Sequence, residues 1–105
     1  MKRILIVNLD YKIYFRNSAK RELKKLKDKR LIKLISQEIY QVIAKDPHCG
    51  DRKKGGLKDI YTRPIHYQKA QYRIAYTIHE HIVTVEIIQV GSRENFYKEL
   101  TRKIP

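Results

Sequence analysis

The chain is 105 residues long, enough for one modest hydrophobic core and short for two, so a single domain over residues 1–105 is expected. Its 24 Lys and Arg against 11 Asp and Glu leave a net charge of +13, which attracts phosphate polymers and anionic membranes and says little about fold. No apolar run reaches the roughly 18 residues of a membrane span. Ile4 to Val7, after Met1-Lys2-Arg3, is too short for a signal-peptide core, and the lone Cys49 cannot close an intramolecular disulfide. The expectation is a cytoplasmic protein with no covalent staple.

Tyr11 to Phe15 is aromatic and β-branched and predicts a first strand, with residues 1–10 an N-terminal extension of it or a separate strand. Asn17 or Ser18 offers an N-cap for a helix beginning near Ala19. Its inward stripe is Ala19, Leu23 and Leu26, which leaves Lys20, Arg21, Lys24, Lys25 and Lys27 outside. The chain turns around Lys27 to Arg30 into a second helix marked by Leu31, Ile35, Ile39 and Val42, widened by Ile32, Leu34 and Ile43. Asp46-Pro47 ends it. Residues 46–59 then read as a loop, with Pro47, Gly50, Gly55 and Gly56 and the basic run Arg52-Lys53-Lys54.

Three strands follow closely enough to form antiparallel hairpins: Ile60 to Tyr67, Gln71 to Ile78 and Ile82 to Val90. In the second, Tyr72, Ile74, Tyr76 and Ile78 face one way and Arg73, Ala75 and Thr77 the other. The third is apolar on both sides, as a central strand should be, with Gly91 ending it before an amphipathic segment from Arg93 to Lys103. The resulting order, β-α-α-β-β-β-α, is that of an α+β fold in which an antiparallel sheet carries two N-terminal helices on one face and leaves the other open, with a short helix at the C-terminus.

Four segments carry a resemblance to a known family. They are Phe15 to Leu26 (FRNSAKRELKKL), Gly56 to Tyr61 (GLKDIY), Gln71 to Tyr76 (QYRIAY) and Val90 to Tyr97 (VGSRENFY), in this order and at this spacing. From about Tyr11 onward the chain resembles the RelE/ParE superfamily of bacterial toxins from type II toxin-antitoxin modules. The resemblance implies a RelE-like microbial RNase-type fold and, for RelE-type members, metal-independent cleavage of mRNA in the ribosomal A site.

In that reaction the 2′-OH attacks the adjacent phosphate, so a base must take its proton and fixed cations must hold the pentacovalent dianion. Arg73 matches the arginine of the family's Tyr-Arg strand motif, and its planar fork suits two nonbridging oxygens. Arg93 matches a second arginine, and Tyr97 a tyrosine able to stack on or hydrogen-bond a splayed base. The alternatives are solvated strand-end cations for the arginines and core packing for Tyr97.

His66 is the general-base candidate, since imidazole titrates near neutrality and nearby cations favour its neutral form. RelE proper carries basic residues at alternate positions of this strand, where this chain has Pro64 and His66. Arg63 is one step out of phase and reaches the site only if Pro64 brings a bulge. No histidine follows His81, which leaves the general acid unassigned.

Lys20, Lys24, Lys25, Arg52, Lys53, Lys54 and Lys58 are candidate RNA phosphate contacts, against the plain reading of a charge run as a solvated face. His48-Cys49 and His79-Glu80-His81 lack paired metal-ligand spacing, so neither metal nor cofactor is expected. The implied partners are an acidic cognate antitoxin, the ribosome with its mRNA, and operator DNA only through the antitoxin complex, with no membrane. The competing readings are a ParE-like, noncatalytic gyrase inhibitor and an RNA-binding domain without catalysis.

Overall fold

A computed structural model describes residues 10–53 and 59–104. The elements are β1 (Lys12–Phe15), α1 (Asn17–Lys25), α2 (Lys29–Gln37) running into a π-helical turn (Glu38–Ile43), a 3-10 turn (Pro47–Cys49), β2 (Asp51–Arg52), β3 (Tyr61–Tyr67), β4 (Ala70–His79), a 3-10 turn (Glu80–Ile82), β5 (Thr84–Ser92) and α3 (Phe96–Arg102). The strands form one five-stranded sheet in the order β1-β5-β4-β3-β2. From β5 to β2 all pairings are antiparallel, but β1 runs parallel to β5, with Ile13 level with Val85 and Phe15 with Ile87. The wholly antiparallel sheet expected from sequence is therefore mixed at one edge. A parallel neighbour needs a long crossover, and everything between β1 and β5 supplies it.

Helices α1 and α2 cover one face, where Ala19, Leu31, Ile35, Ile39 and Ile43 pack on Ile65, Ile74, Tyr76, Val85, Ile87 and Val90. Neither Asn17 nor Ser18 caps α1. Arg16 occupies the N-cap without a side-chain bond, and the Ser18 hydroxyl instead donates to the Ile88 carbonyl at 2.9 Å, tying α1 to β5. Asp28 caps α2, accepting from the Arg30 and Leu31 amides, and receives the Tyr67 hydroxyl at 2.8 Å. The buried stripe steps by four residues, from Leu31 to Ile35, Ile39 and Ile43, and in an α-helix that spacing drifts steadily round the axis. The wider π turn, closed by the Ala44 amide on the Ile39 carbonyl, takes up the drift, so Ile43 is buried in the place expected for Val42.

The loop expected over residues 46–59 contains the 3-10 turn and the two-residue β2, which pairs Asp51 with Thr62 and Arg52 with Tyr61. The third long strand begins at Thr84 and runs through Gly91. Ile82 and Val83, expected within it, are exposed in the preceding turn, which Val83 closes in the left-handed region at φ 48°.

Within β5, Ala75 pairs with Gln89 but Tyr76 with Ile87, leaving Ile88 as the extra residue of a bulge. Val85, Ile87 and Val90 therefore face α1 and α2, while Ile88 turns to the other side to pack with Ala75, Ile60, Phe96 and Leu100. Thus α3 covers the centre of the face expected to be open, and only its flanks remain accessible.

Candidate functional site

Residues directly paired across strands share a face, so the register decides which candidates meet. Pro64 is paired with Arg73 and Arg73 with Gly91, and in the next row His66 is paired with Gln71. The Arg93 amide donates to the Gln71 carbonyl at 2.8 Å, which sets its backbone level with that row. Arg73, His66 and the backbone of Arg93 consequently lie together at the β3–β4 hairpin end of the α3 face.

Arg63 does not join them. The β3–β4 ladder is regular from Tyr61 to Tyr67, and Pro64 introduces no bulge. Arg63 is paired with Ile74 on the opposite face, where its Nε donates to the Glu38 carboxylate of the π turn at 2.7 Å. Its expected place at the reacting phosphate is accordingly corrected to an ion pair beneath α2.

Tyr97, in the first turn of α3, forms the other wall. Its ring lies edge-on to Phe96 and within 5.6 Å of the Arg73 guanidinium carbon and 5.0 Å of the Lys53 ammonium, both cation–π distances. Burial alone would raise the Tyr97 phenol. Lys53 and Thr62 at its oxygen and the charge of Arg73 outweigh burial and bring it below the ordinary tyrosine value. Lys53 is in turn held by Asp51 at 2.9 Å.

One polar atom here, the Arg73 Nε, is buried without a hydrogen-bond partner among the described residues. An unpaired buried guanidinium N–H is costly, and an anion arriving beside Arg73 would supply what it lacks.

The support for Tyr97 was not legible in sequence. The Gln89 amide donates to the Phe96 carbonyl at 2.8 Å, and the Lys103 ammonium bridges Gln89 at 2.7 Å and Glu22 of α1 at 2.6 Å. Glu22 also accepts the Val90 amide at 2.9 Å beside the bulge, so one carboxylate locks α1, β5 and the end of α3.

The remaining cations divide. Lys20, Lys24 and Lys25 are exposed on α1, in the layer across the sheet from Arg73. Arg52 pairs with Asp59 at 3.0 Å on the surface, whereas Lys53, expected only as a loop contact, reaches the Tyr97 ring. Lys54 and Lys58 lie outside the described residues. His66 is exposed and makes no side-chain hydrogen bond among the described residues.

Among the described residues no three His, Cys, Asp or Glu side chains are arranged to hold a metal ion, and no helix is long and apolar enough to cross a membrane.

No significant similarity to a curated protein is found. Among solved structures, a free-state arginine-to-alanine double mutant of the E. coli toxin RelE superposes with a TM-score of 0.72 at 23% identity, covering 91% of this chain and 99% of that one. A chain of the RelBE2 toxin-antitoxin complex from Mycobacterium tuberculosis gives 0.68 at 23% identity, covering 81% and 93%. The intact E. coli RelBE toxin-antitoxin complex gives 0.64 at 26% identity, covering 80% and 98%. These likenesses establish a RelE fold. The family described as "ParE-like toxin of type II bacterial toxin-antitoxin system" matches residues 13–101, and the chain belongs to that family.

Proposed function

We propose that this toxin is a ribosome-dependent endoribonuclease that cleaves mRNA and arrests translation. The observation that carries the reading is the Arg73–Tyr97–Lys53 cluster, an arginine with an unpaired buried N–H beside a phenol and a second cation on the α3 face of the sheet. His66 takes the proton from the 2′-OH as that oxygen attacks the adjacent phosphorus. Arg73, with Arg93 one row away, holds the doubly charged intermediate through the nonbridging oxygens. Tyr97, made more acidic than a free tyrosine by its two cations, gives its proton to the departing 5′-oxygen. The products are a 2′,3′-cyclic phosphate and a 5′-hydroxyl end, and none of these steps requires a metal.

The exposed lysines of α1 supply sequence-independent attraction to ribosomal RNA. The same charge, +13 over the chain, favours an acidic antitoxin, and the RelBE complexes among similar structures support an antitoxin as partner. Operator DNA is then reached only through the antitoxin complex.

The test is to induce the toxin in cells and map 5′-hydroxyl ends on translated transcripts, beside a folded Arg73→Ala variant. New ends that vanish in the variant support the reading, and growth arrest with intact mRNA sinks it. The ParE-like family match favours a second reading, noncatalytic inhibition of DNA gyrase through a protein surface. It predicts a DNA-damage response with mRNA uncut and with Arg73→Ala still toxic.

A further inference from the structure

On the far flank of the α3 face, β1 presents Lys12 and Tyr14, and Arg16, in extended backbone just past its end, takes the next alternate position. Lys12 is level with Thr84 and Tyr14 with Glu86, and these two residues of β5 share the face of Thr77. Ile82 and His79 complete the wall of a groove of about 530 Å³. Tyr14 is 56% exposed and Ile82 65%, so two large apolar groups line one open groove.

The acidic residue in the groove is already engaged, since Glu86 binds Arg16 at 3.1 Å and His79 at 3.4 Å. Lys12 has no acidic partner among the described residues. An exposed aromatic on a sheet face, flanked along the chain by two cations, has the chemistry that holds single-stranded nucleic acid: the ring stacks a base and the cations meet phosphates on either side.

We propose that the Tyr14 groove is a single-stranded RNA subsite, with Tyr14 stacking a base, Lys12 contacting the phosphate on one side, and Arg16, its Nε kept on Glu86, contacting the phosphate on the other through its terminal nitrogens. It extends the nuclease reading above, giving the mRNA strand a second hold remote from the scissile phosphate. Tyr14 and Arg73 stand two strand spacings apart and four residues along β4, about 17 Å. That span is covered by about five nucleotides at stacking distance, and by fewer when the strand is splayed. The strand passes α3 on the way.

The test uses a fully 2′-O-methylated single-stranded oligoribonucleotide of about 12 nucleotides, which lacks the attacking 2′-OH and stays intact on the wild-type protein. Fluorescence anisotropy should show affinity falling about 5- to 100-fold in Tyr14→Ala and returning in Tyr14→Phe. Lys12→Ala should flatten the salt dependence by about 0.7 in slope, one phosphate's worth. Circular dichroism confirms folding; Tyr14 is exposed, so both variants should fold.

Unchanged affinity in Tyr14→Ala overturns the subsite, as does an equal loss in Tyr14→Phe. Loss of binding to gyrase or antitoxin with oligonucleotide affinity intact also overturns it and makes the groove a protein interface. Tyr14-dependent binding by a protein that leaves mRNA uncut in cells refutes the nuclease reading alone.

Discussion

Arg63 separates the structural cations of the sheet from those proposed to meet phosphate. In Arg63→Met the aliphatic stem stays on the α2 side of the sheet while the charge goes, leaving the Glu38 carboxylate without its 2.7 Å partner. The two side chains are 30% and 18% exposed, between the surface pairs that contribute about 0–1 kcal/mol and the buried ones whose breaking costs about 3–5 kcal/mol. The expected loss is about 1–3 kcal/mol, or roughly 4–15 °C in Tm for a domain of this size. Replacing both partners, Arg63→Met with Glu38→Gln, should recover much of it, because no uncompensated carboxylate remains. Thermal denaturation measures the loss, and mRNA cleavage per folded molecule, with Arg73→Ala as the inactive reference, should be unchanged. The reasoning is refuted if Arg63→Met keeps its Tm and loses cleavage, for then the guanidinium acts at the phosphate despite its register.

Gly50→Ala should lower Tm, because a Cβ there would collide with the Tyr76 hydroxyl, which is buried and bound to the Pro47 carbonyl at 2.6 Å; an unchanged melting curve would contradict that packing. Burial pushes the Glu86 carboxyl up, but Arg16 and His79 outweigh it and hold Glu86 below its usual 4.5. Its contribution is complete above that value and lost as pH falls through the lower folded one. Tm should therefore drop in acid more steeply in the wild type than in Glu86→Gln. Tyr97 should ionise before Tyr11, Tyr67 and Tyr76, whose phenols are all raised, as read by NMR of carbon-13 tyrosine with Tyr97→Phe as the assignment. The stabilisation linked to that lowered value is complete above pH 10 and lost as pH falls through the folded value, so Tyr97→Phe should cost the protein more in alkali than at neutrality.

By itself the sequence determined the elements with strong periodicity and the sides on which they present their residues. The four-residue spacing from Leu31 to Ile43 makes a helix that must bury that stripe, and strict alternation from Tyr72 to Ile78 sends Arg73 away from it. Local chemistry suffices in such cases, because side-chain direction follows from backbone period. The basic outer face of α1 was equally legible.

What only the tertiary structure decided depends on register and on partners distant in sequence. Arg63 or His66 could have faced Arg73, and the answer lay in the pairing of β3 with β4. The bulge at Ile88 and the parallel seat of β1 are likewise matters of strand pairing. Lys53 meets Tyr97 across 44 positions, and Glu22 meets Lys103 across 81, because the fold carries α3 back over the sheet. Short-range pattern cannot encode such encounters, since their energies exist only once the chain has closed. The site is the place where those long-range closures converge.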